Sequence, residues 1–326
     1  MRIGLIDCDE KNIKNPFPNL ALMKLSAWHK KNGDSVEWYD TLAGHFDKVY
    51  VSKVFSFSPD YPYFINADVV EYGGSGFAIH MEGNKEVYDK SKDKPLPCEI
   101  EHIYPDYSIY GITDTAYGFI SRGCPRKCDF CHVKDMQGII AHRVASLSEF
   151  WNGQKNIVLL DPNISACKEW RSIFQELIDS KACVDFSQGL DIRLMTDEKI
   201  EMLKQIKTKG VHFAWDRYED KSIVLPKLKR FAEITNWNRR KIIVYVLVGD
   251  KKRQVTTEDI ERIMTLRPFA YPYVMIYDKE SLPKGHELKK LQRWVNNRFI
   301  WESTPTFLDY LQSNGSKKES KQLTLF

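Results

Sequence analysis

The sequence predicts an α/β protein: a small doubly wound, Rossmann-like domain, then a partial (β/α)6 barrel of the TIM type, then a helical C-terminal extension. Three observations predict it. The opening residues alternate strand, helix and strand; six apolar strands separated by helical segments follow between 115 and 278; and a basic amphipathic stretch begins after 280. At roughly 100–200 residues per domain, 326 residues are too many for one. The predicted boundaries are 1–105, 106–280, 281–312 and a flexible tail from 313 to 326.

In the first domain, RIGLID (2–7) and SVEWYD (35–40) read as strands around the helical stretch 18–33, which Pro18 opens and Gly33 closes. DKVYVSKVFSF (47–57) reads as a third strand, and ADVVEYGGSGF (67–77) as a fourth running into a glycine turn. The polar stretch 89–97 is the expected linker. In the second domain the strands are TAYGFIS (115–121), NIVLLD (156–161), CVDFSQ (183–188), VHFAWD (211–216), KIIVYVLVG (241–249) and YPYVMIYD (271–278). Trp170, Ile173, Phe174, Leu177 and Ile178 recur at helical spacing, and Thr196 and Thr256 are N-caps for two further helices. Six βα units in this order imply parallel strands with the functional residues at their carboxyl ends.

Composition excludes some classes. The chain is 43% hydrophobic and 13% aromatic, enough for packed cores, and 48 basic against 44 acidic residues leave a net charge of only +4. Nothing in the bulk charge demands a polyanionic partner. No apolar run approaches the roughly 20 residues of a membrane span, and Asp7, Asp9 and Glu10 interrupt the start where a secretory signal continues apolar. The expectation is a cytoplasmic protein with no membrane partner. Its seven cysteines, an odd number, fit reduced thiols better than a disulfide framework.

Three of those cysteines, Cys124, Cys128 and Cys131, fall in SRGCPRKCDFCHV (121–133), directly after the first strand of the second domain. Spacing i, i+4, i+7 is also that of one helix face, although Gly123, Pro125, Arg126 and Lys127 favour a loop. A closed structural zinc site wants four ligands; His132 adjoins Cys131, and His142 is distant. Iron-sulfur ligation is the third reading: three thiolates on a cubane leave one iron open, as a catalytic site requires.

The run Cys124-Pro-Arg-Lys-Cys128-Asp-Phe-Cys131 resembles the C-x3-C-x-aromatic-C signature of the radical S-adenosylmethionine superfamily. The resemblance, over residues 110 to 280, implies a 4Fe-4S cluster whose open iron binds the amino and carboxylate groups of S-adenosylmethionine. It also implies one-electron cleavage of that cofactor, fed by a flavodoxin- or ferredoxin-type donor, to a radical that abstracts a substrate hydrogen. It places Phe130 beside adenine, Asp161 near the methionyl amino group, Gln188, Asp191 or Arg193 near ribose or carboxylate, and Gly249 where adenine needs room. Asp216 and Asp250 also fall at or just beyond strand ends, where Asp and Gly also serve as turn formers and caps. Leu160-Asp161-Pro162-Asn163 stands where the family carries Gly-Gly-Glu.

The first domain resembles the cobalamin-binding-like module preceding the core in one branch of that superfamily, with Gly73 and Gly74 where such modules carry a glycine pair; Gly76 extends the cluster. The branch's Asp-x-His-x-x-Gly motif is missing, and His29 and His45 lack its context, so the expectation is no bound cobalamin. Cys8 and Cys98 alone do not make a second cluster site.

After 280, Lys289, Lys290, Arg293 and Arg298 beside Trp294 and Trp301 read either as a nucleic-acid contact or as a solvated face over a packed aromatic row. Beyond the polar stretch 313–321, Gln322, Leu323, Thr324, Leu325 and Phe326 resemble the peptide by which bacterial replication and repair proteins dock on the DNA sliding clamp. The function expected is a radical S-adenosylmethionine enzyme, with nucleic-acid or nucleotide modification as the leading substrate class and a small metabolite or peptide close behind. The alternatives are a structural zinc or iron-sulfur protein and a non-catalytic clamp-tethered binding module.

Overall fold

The computed structural model describes residues 1–10, 17–82, 85–250 and 252–313; the clamp-like peptide at 322–326 lies outside them. The chain divides into two compact units, Met1–Val184 and Asp185–Phe326.

The first unit opens with β1 (Arg2–Asp7), α1 (Leu20–Lys31), β2 (Ser35–Trp38), β3 (Phe46–Ser52) and β4 (Ala67–Gly73). The four strands form one sheet in the order β2-β1-β3-β4, every pair parallel. Strand order reverses beside β1, the place where doubly wound sheets open a crevice at their carboxyl edge. Asn19 caps α1 by accepting the Leu22 N–H at 3.2 Å. Ile3, Leu5, Leu22, Leu25, Tyr50 and Ile100 form one core cluster, and Ile6, Cys8, Phe46, Val49 and Val51 another.

The third strand is shorter than the alternation predicts. It stops at Ser52 because the next residues are drawn off the sheet: the Val54 N–H donates to the buried Asp9 carboxylate at 2.6 Å, and the Lys53 carbonyl accepts from Gly76 N–H at 2.9 Å. After β4 come α2 (Ser75–Ala78), an antiparallel hairpin of β5 (Ile79–Glu82) and β6 (Lys85–Tyr88), which the sequence did not signal, and α3 (Cys98–Glu101).

The rest of the unit holds β7 (Thr115–Gly118), β8 (Ser121–Arg122), α4 (Val133–Gln137), β9 (His142–Arg143), β10 (Asn156–Leu159) and α5 (Trp170–Ser180); β11 (Cys183–Phe186) spans the division between the units. β11, β10 and β7 form a sheet in that order, with β10 parallel to β7. Ile173, Phe174 and Leu177 are the buried face of α5.

In the second unit, α6 (Asp197–Gln205), β12 (Val211–Ala214), α7 (Lys221–Thr235), β13 (Ile242–Val248), α8 (Thr257–Leu266) and β14 (Tyr271–Ile276) alternate as expected, followed by α9 (Glu287–Asn296) and α10 (Arg298–Ser303). β12, β13 and β14 form a parallel sheet in that order. Thr196 and Thr256 cap α6 and α8 by accepting the Lys199 and Asp259 N–H groups. Along β13 the even-numbered residues Ile242 to Val248 are buried and the residues between them half-buried. Phe213 of β12 meets Phe231 of α7 edge-on, ring centroids 4.8 Å apart.

The helical extension closes the edge of this sheet. Asn296 of α9 accepts the Val274 N–H at 2.8 Å, and Gln292 and Asn296 each donate to the Val274 carbonyl at 3.0 Å. These side chains stand in for a missing neighbour strand. The paired rings of Trp294 and Trp301, 4.9 Å apart, are fully buried, so the aromatic row of this segment is core. Asn296→Ala leaves the buried Val274 N–H unpaired, which costs about 1–3 kcal/mol. Urea unfolding is expected to register that loss, with light scattering rising as the β14 edge is uncovered.

Candidate functional site

The cysteine loop is anchored at both ends. β8 and β9 pair antiparallel, Ser121 opposite Arg143 and Arg122 opposite His142, and so bracket residues 123–141. Gly123 follows with φ +86°, and a Cβ there would lie 2.2 Å from the Ile140 carbonyl oxygen, so only glycine fits the entry. Inside, the Cys124 N–H donates to the Gly138 carbonyl at 3.1 Å, and the Cys131 N–H to the Cys128 carbonyl at 3.2 Å. α4 begins at Val133, so the thiols sit on an irregular loop and not on one face of a helix. Cys124, Cys128 and Cys131 are each half-buried and free of disulfides. Burial pushes the Cys131 thiol up, and the Cys124 thiol is near enough to push it in the same direction. Among the described residues no three His, Cys, Asp or Glu side chains converge on a single metal-ion position. His132 lies 3.7 Å from Glu86, and Phe130 is 41% exposed between the last two cysteines.

Asp161, just past the end of β10, is 4% exposed. Its carboxylate accepts the Ile120 N–H at 3.2 Å, the Ser121 N–H at 2.5 Å and the Ser121 hydroxyl at 2.7 Å. Its carboxylate thus fixes the turn that leads into the thiol loop. Burial pushes its carboxyl up to about 6, and the hydrogen bonds from Ser121 and Ile120 resist that shift.

Two residues later stands Asn163, which the sequence offered only as part of a replaced motif. It is 4% exposed and donates from Nδ2 to the Cys124 sulfur at 3.4 Å, while its buried Oδ1 has no hydrogen-bond partner among the described residues. The sulfur is the acceptor in this contact, and of the two carboxamide atoms only the nitrogen can donate to it.

The other sequence-predicted residues belong to the second unit. Gln188 follows β11, in a turn closed by the Gly189 N–H on the Phe186 carbonyl at 2.8 Å. Asp191, 8% exposed, pairs with Arg193 Nε at 2.8 Å and accepts its backbone N–H at 3.1 Å; Arg193 also reaches Asp220 at 3.4 Å. Asp216 follows β12, and burial raises its carboxyl while Arg262 and Arg193 pull it down. Gly249 follows β13 with φ +81°, and a Cβ there would lie 2.9 Å from Leu288; Asp250 beside it is exposed. The sequence missed Arg262. Buried on α8, it donates to the carbonyls of Trp215, Asp216 and Leu247 and pairs with Asp259 at 2.7 Å, tying the ends of β12 and β13 together. The i, i+3 Asp259 and Arg262 on a capped helix were the available signal.

Asp161 gives a pH-dependent contribution to stability. A carboxyl at about 6 in the folded chain, against an ordinary 3.8, binds its proton more tightly folded than unfolded. That contribution is present below about pH 4 and is lost as pH rises through 6. The unfolding free energy of the native chain relative to Asp161→Asn is expected to fall across this window in denaturant titrations; a flat difference overturns the assignment.

Two solved structures of the radical S-adenosylmethionine methyltransferase TsrM from Kitasatospora setae are similar to this chain, each at a TM-score of 0.56. One was solved with cobalamin and a 4Fe-4S cluster bound, at 12% identity, and covers 84% of this chain and 74% of its own. The other was solved with a tryptophan substrate and the cofactor analogue aza-SAM, at 13% identity, and covers 84% of this chain and 72% of its own. No family model matches the chain, and no curated protein sequence matches it. The likeness is one of fold alone: parallel βα units following an α/β domain.

Proposed function

We propose that this chain is a radical S-adenosylmethionine enzyme with its cluster on Cys124, Cys128 and Cys131. The observation that carries the reading is the anchored three-thiol loop directly after β7, on a fold shared with TsrM. The donor set fits a cubane. The thiols form no disulfide and are half-buried on a loop shaped by its own backbone hydrogen bonds, and Asn163 supplies an N–H to one sulfur. In a cubane each thiolate holds a different iron, so the three ligands need not converge on one point. When bound, the cluster and S-adenosylmethionine would supply one-electron reductive cleavage and hydrogen abstraction, with the electron coming from a flavodoxin- or ferredoxin-type donor.

The chain's own residues take positioning roles in this reading. Phe130 offers an exposed ring between two ligands for the nucleoside. In the second unit Asp191 and Arg193, paired at 2.8 Å, present a carboxylate and a guanidinium together, with Gln188 after β11 and Gly249 after β13; the resemblance assigns them to ribose, carboxylate and adenine. We assign Asp161 to holding the 120–121 turn, because its oxygens are engaged there.

TsrM was solved with cobalamin bound, whereas our reading for this chain remains one without it, supported by how the glycines and histidines of the first domain are used. A Cβ on Gly74 would lie 2.3 Å from the Lys53 carbonyl oxygen, and one on Gly76 would lie 2.7 Å from the Phe55 oxygen. The glycines make room for the chain's own 53–55 segment. His29 is buried between Asp34 at 2.6 Å and the Tyr50 hydroxyl at 3.0 Å, and His45 precedes β3 at the other edge of the sheet. No step is assigned to cobalamin.

Anaerobic reconstitution is expected to yield four irons and four sulfides per chain, 5′-deoxyadenosine after dithionite reduction, and no cobalamin absorption when hydroxocobalamin is offered. Replacing any one of the three cysteines by Ala should abolish the cluster, whereas Cys167→Ala and Cys183→Ala should keep it. Zinc alone, or a cluster that never cleaves the cofactor, overturns the enzyme reading.

A nucleotide or nucleic-acid substrate is favoured by the exposed Lys290, Arg293 and Arg298 beside the exposed Phe299, together with the clamp-like peptide. Deleting 314–326 should abolish binding to a bacterial sliding clamp in calorimetric titration while cluster content stays unchanged. No clamp binding, with a lowered melting temperature on deletion, would make the peptide a structural anchor instead.

A further inference from the structure

We propose that Asn163 is a positioning residue that sets the reduction potential of the cluster through its hydrogen bond to the Cys124 sulfur. The inference rests on the cluster reading above and goes beyond it, since nothing in the three-cysteine motif specifies a second residue at the sulfur. Three observations carry it. The Nδ2 to Sγ distance is 3.4 Å, within reach of an N–H to sulfur hydrogen bond. The side chain is 96% buried, so no water competes for that sulfur from its side. The chain also holds the carboxamide from both directions, through the Asp161 connection two residues earlier and through the Asn163 carbonyl, which accepts the Ala166 N–H at 3.1 Å.

The physical effect has a definite sign. An N–H pointed at a metal-bound thiolate draws negative charge from the sulfur, so the extra electron of the reduced cluster is better tolerated and the potential rises. The free Oδ1 adds to the picture: a buried carbonyl oxygen without a donor is a defect in a packed core, and it marks a place where a donor on a bound ligand is received. A carboxamide that gives its N–H to the sulfur and its oxygen to the ligand couples cofactor occupancy to the cluster.

The test is a redox titration of the reconstituted full chain, followed by the electron paramagnetic resonance signal of the reduced cluster and run first without S-adenosylmethionine. Asn163→Leu keeps the shape and removes the N–H; Asn163→Asp also removes the donor and adds a negative charge. Both are expected to keep iron and sulfide content. At a fixed poise Leu should lower the ratio of reduced to oxidised cluster about tenfold, or about 59 mV for a one-electron couple, and Asp should lower it further. Adding S-adenosylmethionine should shift the native potential more than that of either variant. Should Leu prove unable to fold, Asn163→Ser, which retains a donor too short to reach the sulfur, replaces it in the same titration. Unchanged potentials with full cluster content overturn the role of Asn163 and leave the enzyme reading standing; a native chain that takes up no 4Fe-4S cluster overturns both.

Discussion

The Asp161 carboxylate, at the end of β10, takes the backbone N–H groups of Ile120 and Ser121 and the Ser121 hydroxyl, and residues 120 to 143 depend on that connection. It is a charged group with almost no access to water, which by itself is unfavourable. The donors offset the cost, and they come from Ile120 in the turn after β7 and from Ser121 at the start of β8. The strand that carries Asp161 lies beside β7 in parallel register, so the sheet sets the distance and the carboxylate sets the turn. The β8–β9 ribbon and the glycine entry at Gly123 then leave the thiol loop little freedom.

The glycine cluster of the first domain illustrates the opposite lesson. Three glycines in four residues after a parallel strand suggest room left for a ligand's phosphate. Here the space above Gly74 and Gly76 is filled by backbone from Lys53 to Phe55, with the Lys53 ammonium paired to Asp60 and lying over the Phe77 ring. A Rossmann-like order of strands therefore does not bring a nucleotide site with it. The edge that would receive a ligand is used to pack the domain's own loop.

The strands and the principal helices were legible in the sequence because their signals are local: alternation along β13, apolar spacing along α5, and Thr196 and Thr256 at helix starts. The thiol loop was legible for the same reason, since three cysteines within eight residues need no long-range information. What was not legible depends on contacts across the fold. The overextension of β3 to residue 57 came from apolar residues that continue past the point where Asp9, far back in the chain, takes the backbone away. The ribbon of β8 and β9 has two residues on each side, too few for any periodicity. Asn163 and Arg262 are polar residues whose roles come from what they are buried against, Cys124 in one case and three strand-end carbonyls in the other, and composition does not report burial. The paired tryptophans of the extension were ambiguous in sequence for that reason too.

The locality of the thiol loop also has a consequence in time. Cys124, Cys128 and Cys131 are all present once 131 residues have been made, and Asp161 and Asn163 complete the surroundings 32 residues later, within the first compact unit. Chains are synthesised from the amino end at about 5–20 residues per second, and domains fold as units as they emerge. The thiol loop and its surroundings are thus made before the second unit, whose 142 residues, Asp185–Phe326, take about 7–28 seconds more. The residues that shape the thiol loop are therefore together in one stretch of chain while β12, β13 and β14 are still to be made, so its local order does not wait for the second unit.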